Sequence, residues 1–199
     1  MKQVKQKKLK SDIEQRLKFL EKIDAFKNVE RHTSVKGRKA RENDAEHSWH
    51  MAMWFLIFKD FFNVKINGEK VLKMILIHDL PEIYAGDMLA YKKGDKQREK
   101  EAKSAKKLFS EMPDKLSKEY MKLWNEYEKG KTKEAKIAKS FDKLQPFLQS
   151  ISTKGVIWRK KKITYDMIDD NKRKHMNHDK NIMAIYENLL KKSEKILRN

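Results

Sequence analysis

The 199-residue sequence contains no cysteine. This absence excludes a disulfide framework, a thiolate metal site and a thiol nucleophile. Any metal ion must therefore bind through histidine and carboxylate side chains. A chain without cysteine also suits a reducing compartment, and we expect a cytoplasmic protein.

Long hydrophobic runs are missing as well. The longest apolar stretch, Met51–Phe58, is far too short to span a bilayer. The basic N-terminal segment MKQVKQKKLK is followed by no apolar segment, so it does not resemble a signal peptide. We therefore expect no membrane partner.

Acidic residues are few relative to basic ones, 29 against 48, and the formal net charge is +19. Such a charge attracts anions, including nucleotides and nucleic acid. The lysines are spread along the chain instead of being clustered, so the surplus also fits a general preference for lysine on the surface. A phosphorylated substrate would gain from the positive field under either interpretation.

Apolar residues make up 39% of the chain and recur mainly at helical spacing. We predict an all-α fold with one domain over 1–199, in which residues 1–10 form a flexible basic tail. Residues 28–44 are expected to form a long loop and residues 153–163 a basic loop, and no alternating run indicates a strand. Asp44 is predicted to cap the second helix. The predicted helices cover about 11–27, 45–62, 69–79, 96–111, 114–128, 132–152 and 179–197.

Four side chains stand out because they lie in the most apolar helices. His47 opens the helix 45–62, and His78-Asp79 ends the segment VLKMILIHDL. Asp142 lies within AKIAKSFDKLQPFL, where an ionised carboxylate is costly unless it is paired or bound to a metal. Two imidazoles and two carboxylates suit one divalent ion such as Mn, Fe, Co, Ni or Zn, with coordination positions left for water and substrate.

A single histidine on an apolar face is more often a packed core residue than a ligand. The adjacent pair His78-Asp79 is less ordinary. Neighbours on a helix point about 100° apart, so both reach one ion only at a helix end. Pro81, just beyond the pair, indicates such an end.

Three segments, ENDAEHSWHMAMW, VLKMILIHDLPEIYAGDM and EAKIAKSFDKLQ, resemble the HD-domain superfamily of metal-dependent phosphohydrolases. The shared pattern is one histidine, a later His-Asp pair and a final aspartate. Glu82 and Gly86-Asp87 follow the pair as they do in the branch of bacterial 5′-deoxyribonucleotidases and their eukaryotic relatives. The resemblance runs from about residue 12 to residue 190.

The resemblance implies roles for individual residues. One divalent transition-metal ion is implied, with the ligands His47, His78, Asp79 and Asp142. Glu82 and Asp87 are implied as catalytic acid/base or supporting residues, and Glu82 is our first candidate for the general acid because one helical turn brings it back over the pair. The simpler interpretations are a charge at a helix start for Glu82 and a turn residue for Asp87.

An arginine ahead of the first histidine is implied to contact the substrate in that branch, followed by a tryptophan that packs on the sugar. Arg31 is the nearest match, but His32 or Thr33 stands where the tryptophan is expected. This departure leaves the preference for deoxyribose over ribose open. The resemblance also implies a homodimer.

We therefore predict hydrolysis of a phosphomonoester, in first place a deoxynucleoside or nucleoside 5′-monophosphate. A hydrolase of another phosphoester, such as a cyclic dinucleotide or an alarmone, is the alternative of the same class. An HD-fold nucleic-acid-binding or regulatory protein without turnover is the alternative of a different class. It would fit the net charge and the basic residues Arg159–Lys162 beside Trp158, but the intact ligand set argues against it.

Overall fold

Most of the chain is helical in the computed structural model, which describes residues 2–88 and 94–197. The prediction of a helical domain is confirmed. Within the described residues, no helix is both long and apolar enough to cross a membrane. The helices are α1 Lys2–Ile23, α2 Asp44–Phe58, α3 Gly68–Ile77, α4 Glu82–Ala85, α5 Asp95–Phe109, α6 Asp114–Lys129, α7 Lys133–Ser152, α8 Val156–Lys161, α9 Tyr165–Lys172 and α10 Lys180–Leu197.

Helix α7 lies at the centre and packs against α2, α3, α6 and α10. Its residues Ile137, Phe141 and Leu144 are fully buried and recur at helical spacing, which is why this segment forms the middle of the core. The helix begins after Thr132, whose hydroxyl accepts a hydrogen bond from the backbone N–H of Ala135 at 3.3 Å. Asp142 therefore belongs to the helix at the centre of the described core.

A small antiparallel hairpin, β1 Glu30–Ser34 and β2 Arg41–Asn43, follows α1. The prediction that residues 28–44 form a loop without strands was wrong. Both strands are short and polar, so they carry no apolar alternation. The pairing depends instead on tertiary support, because β1 packs against α7 and α8.

The observed helices also differ from the prediction at the N-terminal segment and after α7. Helix α1 begins at Lys2 and not near residue 11, so residues 2–10 continue that helix. The predicted basic loop 153–163 was wrong, because this segment contains α8. A helix of this length shows no readable period, and it is held by the buried side chain of Trp158.

Candidate active site

The structure brings together the four side chains that the resemblance implied as metal ligands. Nε2 of His47 lies 3.2 Å from Oδ1 of Asp142 and 3.9 Å from Oδ2 of Asp79. Nε2 of His78 lies 3.0 Å from Oδ2 of Asp79 and 4.0 Å from Oδ1 of Asp142. Two imidazole nitrogens and two carboxylate oxygens from α2, α7 and the end of α3 thus face a common point.

The helix end predicted at the His-Asp pair is present. Helix α3 ends at Ile77, and His78 forms its C-cap. The backbone carbonyl of His78 accepts a hydrogen bond from Nε1 of Trp124 at 3.0 Å, which fixes the turn. Because the helix stops here, His78 and Asp79 both point to the same side of the chain.

Hydrogen bonds among buried side chains determine which ring nitrogen of His47 carries the proton. Nδ1 of His47 lies 2.7 Å from Oε1 of Gln145. The Gln145 amide nitrogen donates to Oε1 of Glu42 and to Oε1 of Gln149, each at 2.6 Å, so the amide oxygen must face the imidazole. His47 therefore carries its proton on Nδ1, and its Nε2 presents a lone pair. Burial lowers the pKa of His47 to about 4, so the ring is neutral at pH 7.

His78 is oriented in the same way. Its Nδ1 lies 2.8 Å from the backbone oxygen of Ile75 and must donate a proton to it. Its Nε2 is buried and makes no hydrogen bond within the described residues. Burial works to lower the pKa of His78, but the Asp79 carboxylate outweighs it and the net pKa is raised, so positive charge is favoured at this atom.

This donor set fits a divalent cation. Nε2 of neutral His47 directs its lone pair at carboxylate oxygens of Asp79 and Asp142, an arrangement that is favourable only if a positive charge lies between them. A histidine ligand that donates its second N–H to an oxygen is also the usual arrangement around a bound metal. Nitrogen and oxygen donors without sulfur suit the borderline ions Mn, Fe, Co, Ni and Zn.

Asp142 is held by two further groups. Its Oδ2 accepts a hydrogen bond from the Tyr127 hydroxyl at 3.2 Å and pairs with Nζ of Lys143 at 2.8 Å. Burial alone would raise the pKa of Asp142, but the Lys143 ammonium group outweighs it and holds the pKa well below its usual range. Asp142 is therefore ionised, with Oδ1 directed at the histidines.

Gln145 is a residue that sequence reasoning missed, and its contact with His47 yields a prediction. Gln145→Leu keeps the volume but removes the acceptor for Nδ1 of His47, so the ring loses its fixed tautomer. We expect metal affinity to fall about 10–100-fold, measured by competition with a chelator. Gln6→Leu, on the exposed surface of α1, should leave the affinity unchanged. Equal affinities for Gln145→Leu and the parent chain would contradict this role.

A cluster of carboxylates lies beside the histidines around Arg31 of β1. Nη1 of Arg31 lies 2.8 Å from Oδ1 of Asp44 and 2.8 Å from Oδ2 of Asp79. Oxygen atoms of Asp44, Glu82 and Asp87 lie within 4.8 Å of one another. The structure thus brings the predicted residues Arg31, Glu82 and Asp87 to the same site.

Glu82 has the most perturbed environment of this cluster. It is the first residue of α4, its side chain is buried, and its Oε2 makes no hydrogen bond within the described part of the chain. Burial, reinforced by the neighbouring carboxylates of Asp79, Asp44 and Asp87, raises the pKa of Glu82 well above its usual range. The side chain is therefore protonated at neutral pH, the state that a general acid requires.

The predicted capping role of Asp44 was wrong. Asn43 is the N-cap of α2, because its side chain accepts from the backbone N–H of Glu46 at 2.9 Å. The Glu46 carboxylate accepts in return from the Asn43 N–H at 3.0 Å, which completes a capping box. Asp44 is left as a fully buried residue that holds Arg31. The spacing Asn-x-x-Glu was the signal that could have revealed this arrangement.

These groups open onto one cavity. One end carries the acidic residues Asp79, Glu82, Asp87 and Asp142 together with Arg31. His32 and Thr33 of β1 also line this end. The remaining wall comes from α7, α8 and α9 and carries Lys143, Phe147, Trp158 and Lys172. A charged end and a partly aromatic wall fit a ligand that has both an anionic and a flat apolar part.

Comparisons with known proteins agree with this geometry. A family model for the HD domain matches residues 23–185. The chain is 31% identical over 138 residues to 5′-deoxynucleotidase HDDC2 of Danio rerio, which is 67% of each chain. The human protein of the same name is 30% identical over 138 residues, 67% of this chain and 66% of the human one.

Solved structures show the same architecture. A predicted metal-dependent phosphohydrolase from Magnetospirillum magnetotacticum superimposes with a TM-score of 0.87 at 32% identity, covering 94% of this chain and 97% of that one. An HD-domain phosphohydrolase from Listeria innocua has a TM-score of 0.62 at 19% identity, over 89% of this chain and 92% of that one, and shares the fold.

Proposed function

Because the chain belongs to the HD-domain family of metal-dependent phosphohydrolases, we propose that it hydrolyses a phosphomonoester to an alcohol and inorganic phosphate. The substrate that we propose is a deoxynucleoside or nucleoside 5′-monophosphate. One observation carries the proposal. The Nε2 atoms of His47 and His78 face the carboxylates of Asp79 and Asp142 at the edge of a cavity that also contains Arg31 and the buried side chain of Glu82.

In this proposal each residue has a definite task. The divalent ion, when bound, would polarise a phosphoryl oxygen and lower the pKa of a water molecule. Its ligands would be His47, His78, Asp79 and Asp142.

Glu82 would donate its proton to the leaving alkoxide, because its buried carboxyl group is uncharged before the reaction. Arg31 would bind phosphate oxygens, and the carboxylates of Asp44 and Asp79 hold its guanidinium in place. Asp87, whose pKa is raised by burial, would help to keep the pKa of Glu82 high or would exchange a proton with Glu82.

The nucleotide part of the proposal rests on two observations. The relatives named 5′-deoxynucleotidase match about two thirds of this chain. The cavity wall contains Phe147 and Trp158, and an aromatic surface can pack against a base or a sugar. His32 and Thr33 line the cavity next to Arg31, where a tryptophan was expected, so both sugars are included among the proposed substrates.

A substrate screen tests the proposal. The purified chain is stripped with a chelator, reloaded separately with Mn, Fe, Co, Ni or Zn, and assayed for phosphate release. The panel contains ribo- and deoxyribonucleoside 5′-monophosphates, a cyclic dinucleotide and an alarmone. We expect release from 5′-monophosphates with at least one metal and none from the stripped protein.

Other results would redirect the proposal. Turnover confined to the cyclic dinucleotide or the alarmone would replace the substrate class. Salt-dependent binding of nucleic acid without any turnover would favour the non-enzymatic alternative.

The homodimer and the cytoplasmic location stay predictions. Large apolar side chains on the outer face of α2 and just after it are exposed, among them Trp49, Ile57 and Phe61. They line a groove between α2 and α10, and an exposed apolar surface of this kind suits contact with a second copy.

A further inference from the structure

A buried ammonium group lies in the wall of the reaction cavity. Lys172, near the end of α9, is 7% exposed, and its Nζ donates to the backbone oxygen of Lys143 at 3.0 Å. This bond uses one of the three donors of the group. Within the described residues, no carboxylate forms an ion pair with Nζ of Lys172. The ring of Phe147 lies close by, with its centroid 5.5 Å from Nζ.

The surroundings of Lys172 are already positive. Lys143, whose backbone it contacts, places its own ammonium group 2.8 Å from Oδ2 of Asp142. The two lysines therefore lie on the Asp142 side of the site, whereas Arg31 lies on the Asp79 side. All three cations line the same cavity, so an anion within it can meet positive charge from two directions.

A buried cation without a counter-ion is unfavourable, and a bound anion relieves the cost. Burial, together with Lys143, lowers the pKa of Lys172 to about 7. A dianionic phosphoryl group next to Nζ would restore the full positive charge. The ammonium group lies over the Phe147 ring and donates to the backbone oxygen of Lys143, so the folded chain keeps the side chain in the cavity wall.

Resting on the proposed function, we propose that Lys172 is a substrate-binding residue that, with Lys143 and Arg31, selects a phosphomonoester dianion over a phosphodiester. A monoester carries two negative charges near neutral pH, whereas a diester carries one and has a second organic substituent. Three cations around one phosphoryl group match the dianion. The same wall would penalise a diester, because Arg31 and Lys143 already have carboxylate partners and a single negative charge would compensate the buried Lys172 less than a dianion does.

The test compares Lys172→Met with Lys172→Arg and with Lys174→Met. Lys174 is exposed two residues further along, so its replacement lowers the net charge equally without touching the cavity. We expect Lys172→Met to weaken binding of inorganic phosphate to the metal-loaded protein about 10-fold or more, measured by calorimetry. The KM for the monoester should rise by a similar factor with a smaller change in kcat, and the preference over bis(p-nitrophenyl) phosphate should shrink.

The controls separate this role from a structural one. Lys172→Arg should retain phosphate binding, and Lys174→Met should resemble the parent chain. Metal affinity should be unchanged in all three variants. Parent-like phosphate binding by Lys172→Met, or loss of its metal, would overturn the inference. A parent chain that binds phosphate but releases none from any monoester would instead reject the proposed function, and the binding comparison would still decide the role of Lys172.

Discussion

Replacement of His78 by alanine is expected to abolish stoichiometric metal binding and to lower kcat/KM about a thousandfold or more. Nε2 of His78 is buried, lies 3.0 Å from Oδ2 of Asp79 and makes no hydrogen bond within the described residues. Its removal takes one of two nitrogen donors from the proposed ligand set. Metal content after dialysis, measured by mass spectrometry, and phosphate release give independent readouts.

The experiment also needs a thermal measurement and two further variants. At a metal concentration about 100 times the Kd, the parent chain should gain about 2.7 kcal/mol in its free energy of unfolding, and His78→Ala should gain almost none. His78→Gln retains more of the buried volume and guards against a simple packing defect. His178→Ala removes an imidazole that contacts Ser140 instead, and it should keep the metal. Full metal occupancy in His78→Ala would reject His78 as a ligand.

Glu82→Gln should show the opposite pattern, with metal retained and kcat lowered about 10²–10⁴-fold. The amide has nearly the same shape as the carboxylic acid but cannot transfer an acidic proton to the leaving oxygen. The sign of the pH effect follows from the raised pKa of Glu82. An acid is active while protonated, so the rate of the parent enzyme should be present at neutral pH and fall as the pH rises through that pKa. The variant should lack this alkaline decline.

The leaving group provides a discriminating control. p-Nitrophenolate leaves without protonation, so p-nitrophenyl phosphate should be affected much less than a nucleotide by Glu82→Gln. Glu99→Gln makes the same exchange on the exposed surface of α5 and should change neither rate. Equal losses with both leaving groups would show that Glu82 acts elsewhere, for example by holding Arg31.

The local pattern of apolar residues was sufficient to predict many of the helices. Helices α3 and α7 carry apolar residues at helical spacing, α2 is apolar over most of its surface, and Pro81 marked the end at His78-Asp79. Periodicity alone did not indicate that these helices meet. Their convergence was expected from the resemblance, because a pattern of separated histidines and aspartates has no meaning without a fold that joins them.

Other parts of the site depend on contacts that no local pattern contains. Gln145 faces His47 across 98 residues of sequence and Glu42 across 103. The hairpin that holds Arg31 and the short helix α8 lack a period and form through packing on α7. Asp44 looked like an ordinary capping residue, since only the folded chain places Arg31 beside it. These are tertiary effects that override local preference.

The long sequence separations have a kinetic consequence. His47 and Asp142 are 95 residues apart, so their side chains meet only after α2 has docked on α7. Contacts between such distant segments carry a large loop-closure entropy and tend to form late in folding. A ligand that recognises only the completed arrangement slows unfolding and leaves the folding rate nearly unchanged. The ion would then mainly lengthen the lifetime of the native state, because it would bind after the central helices have assembled and would slow their separation.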